Sequence, residues 1–476
     1  MSPSLDAASR VSAAKSLDGQ MSVDERIGLD EPIEAGAPAA ASAWRLATLA
    51  MLLLAALPVA MAVANRSAPL VLALAAVAAL ASAGALTGWS AVGSAFVSAA
   101  RSRIGFASLA FVLVSVASYG WSADRVQTLR ALTEVAVPLI AGAVILQILP
   151  RNLLQNRNRL VNRLGVAPRA TTLPLAVGVI VAALICIGEL RFNMPIRNAL
   201  HLRAKTFEYN RPVLSLLVWF WPLCAMAMSS PRRHIALWAA LAVTTAAIWS
   251  SQSGTAMFAQ AVSVAACLLA WRFPRLVLAL AAIAVSFVFV GVFAFGDIAW
   301  RVLPQATYDV FAWMHAADRV EIWRSYGAAM LLHPWLGAGF GASVTLGDTA
   351  IVGQVADEFR RMLAVGHPHN GYLQIGVELG LIGCALALAV ALMLLWSWRD
   401  LRGPALLSRL GLFGTVAATM LVGHGAWQAW WIAVVFAGGA LIRIAYSPDP
   451  AAPPQPKSAP KPAPKSVPQP NPARIS

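Results

Sequence analysis

His367-Pro368-His369-Asn370 opens directly onto GYLQIGVELGLIGCALALAVALMLLWS, residues 371–397. As α-helix, with a rise of about 1.5 Å per residue, a run of that length is long enough to cross a hydrocarbon layer roughly 30 Å thick. A polar loop therefore meets a membrane helix here, and two imidazoles and an amide stand at the junction. Asn370 is a good N-cap, and the helix it starts presents unsatisfied N–H groups and a partial positive charge. Phosphate is favoured at such a point.

Outward from this junction the chain has the same character. It is 59% hydrophobic and 12% charged, with a mean hydropathy of +0.68, which excludes an ordinary soluble domain. Period-two alternation is absent, which argues against an outer-membrane barrel. Apolar runs of roughly 17–25 residues recur between short polar joints, so the expectation is an all-α polytopic membrane protein with about twelve transmembrane helices. They fall at 43–64, 67–87, 104–121, 131–149, 172–190, 212–229, 234–250, 254–271, 275–295, 371–397, 404–423 and 427–446. The four cysteines, Cys186, Cys224, Cys267 and Cys384, all lie in these spans as small apolar residues, and no disulfide is assigned.

The net charge of +15 invites a nucleic-acid partner, but the placement of the basic residues argues against one. With both termini cytoplasmic, Arg101, Arg103, Arg151, Arg157, Arg159, Arg163, Arg169, Arg232, Arg233, Arg272, Arg275, Arg399, Arg402 and Arg409 lie in inside loops, which is the positive-inside pattern. Two outside loops depart from it. Residues 191–211 carry Arg191, Arg197, Arg203, Lys205 and Arg211, and residues 296–370 carry Arg301, Arg319, Arg324, Arg360 and Arg361. Basic residues placed against the topogenic bias suggest an anionic partner on that side. Residues 1–42 lack a periodic apolar face and do not form a signal peptide. Residues 447–476, rich in Pro, Ala and Lys, form an extended cytoplasmic tail. Its Lys457, Lys461 and Lys465 either touch anionic lipid headgroups or are simply solvated. The bundle itself, residues 43–446, includes the outside loop.

That loop, 296–370, is too long for a plain connector. Arg319–Leu332 reads as a helix, with Asp318 as N-cap and Glu321 completing a capping box, ended by His333-Pro334. Its stripe of Val320, Trp323, Gly327, Met330 and Leu331 either lies at the membrane interface, with Trp313 and Trp323 at headgroup depth, or packs the loop onto the bundle. Gly337-Ala338-Gly339-Phe340-Gly341 has the wrong spacing for a dinucleotide fingerprint and is expected to turn with positive φ. Gly376, Gly380 and Gly383 give the next helix a small-residue face suited to close helix packing.

For the histidines, a general base is one reading, since an unperturbed imidazole titrates near pH 6.5. Loop residues bonded to backbone are another. Zinc is a third, needing Asp348, Asp357 or Glu358 to complete a ligand set. Arg211, beside Tyr209 and Asn210 at the start of the sixth span, either pairs with an anion near the hydrocarbon or snorkels to the interface.

Three segments carry a family resemblance. His369-Asn370, nine residues, then Gly380-Leu381-Ile382-Gly383 is similar to the hallmark of the O-antigen ligase and bacterial polysaccharide polymerase superfamily. Arg319-Val320-Glu321-Ile322-Trp323 followed by His333-Pro334-Trp335-Leu336-Gly337 resembles its loop segment, and Asn210-Arg211 resembles the site of a further functional arginine. The resemblance is strongest over residues 200–400. It implies a metal-independent inverting glycosyltransferase without cofactor in the bacterial inner membrane, with its active site facing the periplasm. The donor would be a glycan on undecaprenyl diphosphate and the acceptor a lipid A–core sugar hydroxyl. Arg211 and Arg319 would stabilise the leaving diphosphate, assisted by the helix terminus at Asn370. His369 would be the general base or, alternatively, a diphosphate contact. His367, Arg324, Tyr209 and Trp323 are candidates for binding substrate. A polymerase using the same donor is the competing reading, and a twelve-span transporter a third.

Overall fold

A computed structural model of the 476-residue chain describes residues 37–155, 169–229, 234–312, 315–423 and 425–446. Expectations for most of the N-terminal segment and for the C-terminal tail lie outside these residues. So do those for Trp313 and for the inside-loop residues Arg157, Arg159, Arg163, Arg232 and Arg233.

Among the described residues every regular element is helical. Each of the twelve apolar runs coincides with a helix: α1 (Ala37–Val63), α2 (Ala68–Thr87), α4 (Arg103–Ala117), α5 (Arg125–Gln155), α6 (Arg169–Arg191), α8 (Asn210–Ser229), α9 (His234–Trp249), α10 (Gly254–Arg272), α11 (Pro274–Val290), α16 (Gly371–Ser397), α17 (Gly403–Val422) and α18 (Ala429–Ala445). Among the described residues, nine of the helices are long and apolar enough to cross a membrane. The helices over Ile235–Trp249 and Ala429–Ala445 are shorter, and α11 continues after a 101° bend into α12 (Phe295–Val302). Local chemistry sets several starts. Ser102 Oγ accepts from Gly105 N at 3.0 Å, and prolines stand in the first turn of α2, α11 and α17, where a missing N–H costs nothing.

The joint between α2 and α4 holds a further helix, α3 (Trp89–Arg101), which the apolar pattern passes over because its buried residues are only Val92 and Ala95. Between α6 and α8 lies α7 (Pro195–Ala199), and the loop after α12 contains α13 (Gln305–Val310), α14 (Ala316–Leu332) and α15 (Asp357–Leu363).

Two cores organise the molecule. One joins α1, α2, α5, α6, α8, α9 and α18. The other joins α10, α11, α14, α16 and α17 with the loop. Helix α14 belongs to the second. Gly296 of α12 sits where a Cβ would lie 2.4 Å from Arg324 N, and Gly376 of α16 where one would lie 2.6 Å from Met330 Sδ. Hence Val320, Trp323, Gly327 and Met330 of the α14 stripe pack the loop onto the bundle, whereas Leu331 is 57% exposed. Trp323 is only 8% exposed and lies against Phe295 at a ring separation of 5.3 Å. The helix starts earlier than its sequence suggests. His315, at φ 55°, is the N-cap with no side-chain cap bond, and Asp318 lies inside the first turn, 3.3 Å from His315 Nδ1. The expected capping box therefore does not form. The C-terminal end at Leu332, before His333-Pro334, is where the proline places it.

The glycine motifs explain one another. Gly337, Gly339 and Gly341 all have positive φ, at 69°, 105° and 75°. Gly380 has φ 63° and ψ −162° and breaks α16. Into that break the loop inserts: Leu381 N donates to Pro334 O at 2.8 Å, and Ala338 N and Gly339 N donate to Val377 O and Glu378 O, each at 2.8 Å. A Cβ on Gly380 would lie 2.3 Å from the Trp335 carbonyl carbon. The expectation of helix–helix packing holds for Gly376 against Met330, whereas at Gly380 the partner is a loop backbone. The reason is that a broken helix leaves carbonyls and amide hydrogens without intrahelical partners, and here the loop backbone supplies them.

Candidate active site

At the start of α16, Asn370 is 1% exposed and its side-chain oxygen accepts from Tyr372 N and Leu373 N, both at 3.0 Å. The cap fixes the residue before it. His369 has φ 50°, a left-handed conformation rare outside glycine and held only where surroundings impose it. Its ring lies 4.1 Å from that of His367. Both imidazoles are half-buried. Burial holds His367 below its ordinary pKa of 6.5, the Arg319 charge pushes the same way, and a hydrogen bond with the Val365 backbone opposes them. The His367 imidazole is therefore neutral at neutral pH.

Arg319 reaches the same place from α14. Its guanidinium donates to Val422 O at the C-terminal end of α17, and burial lowers its pKa, though an arginine stays a cation at any physiological pH. Thr255 Oγ1 donates to Val422 O as well, at 3.3 Å. The turn before α10 thus joins this cluster, and Gln252 in that turn accepts from Thr206 Oγ1 at 2.6 Å. Thr206 starts the short helical turn that carries Tyr209 and leads to Arg211. In this way the loop before α8 is bonded to the turn before α10, and the first turn of α10 shares the Val422 carbonyl with Arg319.

Arg211 is half-buried at the start of α8, with Arg66 and Glu208 as its nearest charges. The Tyr209 hydroxyl donates to Glu189 Oε2 at 2.7 Å, and Glu189 also accepts from Ile196 N and Arg197 N at 2.6 and 3.2 Å. Tyr209 thereby ties the loop 191–211 to the end of α6. Arg324 is committed in a similar way. Its Nε lies 2.9 Å from Asp297 Oδ1, with the guanidinium 5.0 Å from the Trp300 ring and 5.2 Å from the Phe359 ring. Trp323, Arg324 and Tyr209 thus hold loops together, while His367, His369, Asn370 and Arg319 gather at one mouth. Among the described residues no three of His, Cys, Asp and Glu are grouped to hold a metal ion, so Asp348, Asp357 and Glu358 do not complete a set with the histidines.

One residue of the site region has no place in the sequence reading. Glu378, fully buried, accepts from Gly341 N and Trp427 Nε1 at 2.6 Å each, from Gln374 Nε2 at 2.8 Å, and from the Ser343 hydroxyl. Gln374 in turn accepts from Ala426 N at 2.7 Å. Together they pin the glycine loop and the segment before α18 onto α16, one to two turns below Asn370. The available signal was a lone carboxylate within an apolar span, which costs roughly 2.5–3.5 kcal/mol on insertion scales and so needs a reason.

By fold, the chain is an all-α polytopic membrane protein whose loop and span ends converge on a histidine–arginine cluster. Residues 238–388 match a family model described as O-antigen ligase. That stretch contains Arg319, His367, His369 and Asn370 but not Arg211. Relatives carry the provisional name polysaccharide ligase. One from Rickettsia prowazekii is 29% identical over 120 residues, 25% of this chain and 29% of that protein. Another from Rickettsia bellii is 27% identical over 164 residues, 33% of this chain and 40% of that protein. The similarity thus spans less than half the length of these relatives. Over residues 238–388 the chain is similar to the O-antigen ligase family and to these polysaccharide ligases.

Proposed function

We propose that this protein is an inverting glycosyltransferase of the bacterial inner membrane, with both termini cytoplasmic, that moves a glycan from undecaprenyl diphosphate to a sugar hydroxyl of lipid A–core on the periplasmic side. The observation that carries this reading is the cluster at the mouth of α16, where His369 and His367 lie 4.1 Å apart with Arg319 beside them. A lipid-borne diphosphate needs a fixed cation at the membrane surface, and a sugar hydroxyl needs a base.

In the proposed step, the acceptor oxygen attacks the anomeric carbon from the face opposite the diphosphate. The anomeric C–O bond breaks, its electron pair stays on the diphosphate, and the configuration inverts. The hydroxyl proton passes to the His369 imidazole. Arg319 and Arg211 stabilise the growing negative charge, because a guanidinium bonds phosphate oxygens bidentately and stays protonated. His367, neutral, supports the His369 ring rather than adding a competing cation.

The discriminating experiment analyses envelope glycans in a deletion strain. Loss of a ligase leaves long chains on the carrier and bare core, whereas loss of a polymerase leaves single repeats on core; an unchanged glycan profile overturns both. In a purified transfer assay, Arg319→Ala lowers turnover about 10²-fold or more. Near-normal transfer by a correctly inserted Arg319→Ala protein removes that residue from the mechanism. Transfer is expected to survive EDTA; inactivation reversed by zinc would replace this reading with a metal-dependent one.

A further inference from the structure

At the far end of α16 from His369, a cleft of about 1050 Å³ opens between α4 and α11, which both pack against α16. Leu392 and Trp396 of α16 form its floor, and Leu278 and Ala282 of α11 line one wall. Arg103, Arg275 and Arg399 line the same cleft, against a single carboxylate, Asp400. Arg399 pairs with Asp400 at 3.3 Å. Among the described residues neither Arg103 nor Arg275 has an ion-pair partner.

We propose that this cleft binds one anionic phospholipid, with its phosphate between Arg103 and Arg275 and an acyl chain along the apolar wall. Topogenesis accounts for arginines at this end of the helices. It does not require arginines from two separate joints to border one cleft. The wall decides what kind of anion fits. From Arg275 to Ala282, seven residues of helix carry the lining about 10 Å away from the charges, and Trp396 and Leu392 of α16 extend the apolar surface on the other side. A soluble phosphate has no use for that apolar depth, whereas a diacyl lipid fills it and keeps its headgroup at the guanidinium groups. A bound lipid wedges α4 and α11 against the helix whose other end bears the His369 motif.

The test is native mass spectrometry of the full chain released from micelles containing equal amounts of phosphatidylglycerol and phosphatidylcholine. The wild type is expected to retain one phosphatidylglycerol with about tenfold preference. The Arg103→Gln, Arg275→Gln double variant loses that preference. The Arg45→Gln, Arg272→Gln variant, which removes two cations from the same end but outside the cleft, keeps it. Equal retention of both lipids by the wild type would mean bulk annular lipid only and overturns the proposal. Equal loss in the two double variants would mean diffuse surface charge, and displacement by excess inorganic phosphate would mean a soluble-anion site; each also overturns it.

Discussion

At the scale of single residues, the proposed chemistry rests on His369, left-handed between a proline and a capping asparagine. Its backbone is set by the Asn370 cap, so its ring position is inherited from the helix and does not depend on loop packing alone. His369→Ala is expected to lower transfer by about 10²–10⁴-fold, the usual contribution of a general base, with protein insertion unchanged. If His369→Ala retains the wild-type rate, the proton goes elsewhere. His367 makes a separate prediction in stability. Its pKa lies below 6.5 in the folded protein, so the unfolded chain binds the proton more readily. Stability is therefore full above pH 6.5 and falls as the pH drops through 6.5 towards the folded value. A thermal melt in detergent should show this loss on acidification, and His367→Gln should reduce it. An identical pH dependence in the variant would show that His367 does not contribute.

Within single elements, the break in α16 separates what spacing conveys from what geometry does. The interval from Asn370 to Gly380 and Gly383 was legible as a motif, and the positive φ angles of the Gly337–Gly341 turn were legible from its composition. Their mutual insertion was not, because it depends on two segments about 40 residues apart sharing backbone hydrogen bonds. The consequence is testable. Gly380→Ala must place a Cβ at positive φ, at about 1–2 kcal/mol, and also against the Trp335 carbonyl. At Gly376 the obstacle is the flexible Met330 side chain. Gly380→Ala should therefore lower the melting temperature well beyond Gly376→Ala; equal melting of the two variants would refute the insertion. Glu378→Ala strands up to four buried donors, each at roughly 1–3 kcal/mol, and should be more damaging than Glu378→Gln, which keeps one acceptor oxygen. The two variants are to be compared by yield of folded protein.

For the whole molecule, α10 links the two halves: the loop before α8 bonds the turn that precedes it, and its first turn bonds Val422 at the end of α17, where Arg319 also docks. Apolar span length located twelve helices of the bundle, since twenty or so residues in lipid have no alternative to satisfying their own backbone. It passed over α3, whose amphipathic sequence does not need to span. The orientation proposed from the arginine bias is open to direct measurement. A cysteine placed at the exposed Arg361, in a cysteine-free background, should react with a membrane-impermeant maleimide in intact spheroplasts. One at Arg399 should react only after permeabilisation. The opposite pattern would invert the topology and remove the lipid-linked donor from reach of His369.

The sequence by itself determined the fold class and the positions of the twelve apolar helices, because hydrophobic length acts locally along the chain. Only the tertiary structure decided which of the candidate residues gather at the mouth of α16 and which hold loops together. It also revealed Glu378 as the acceptor under the glycine loop. Hydrogen-bond partners are settled by segments far apart in sequence, and no local pattern encodes them.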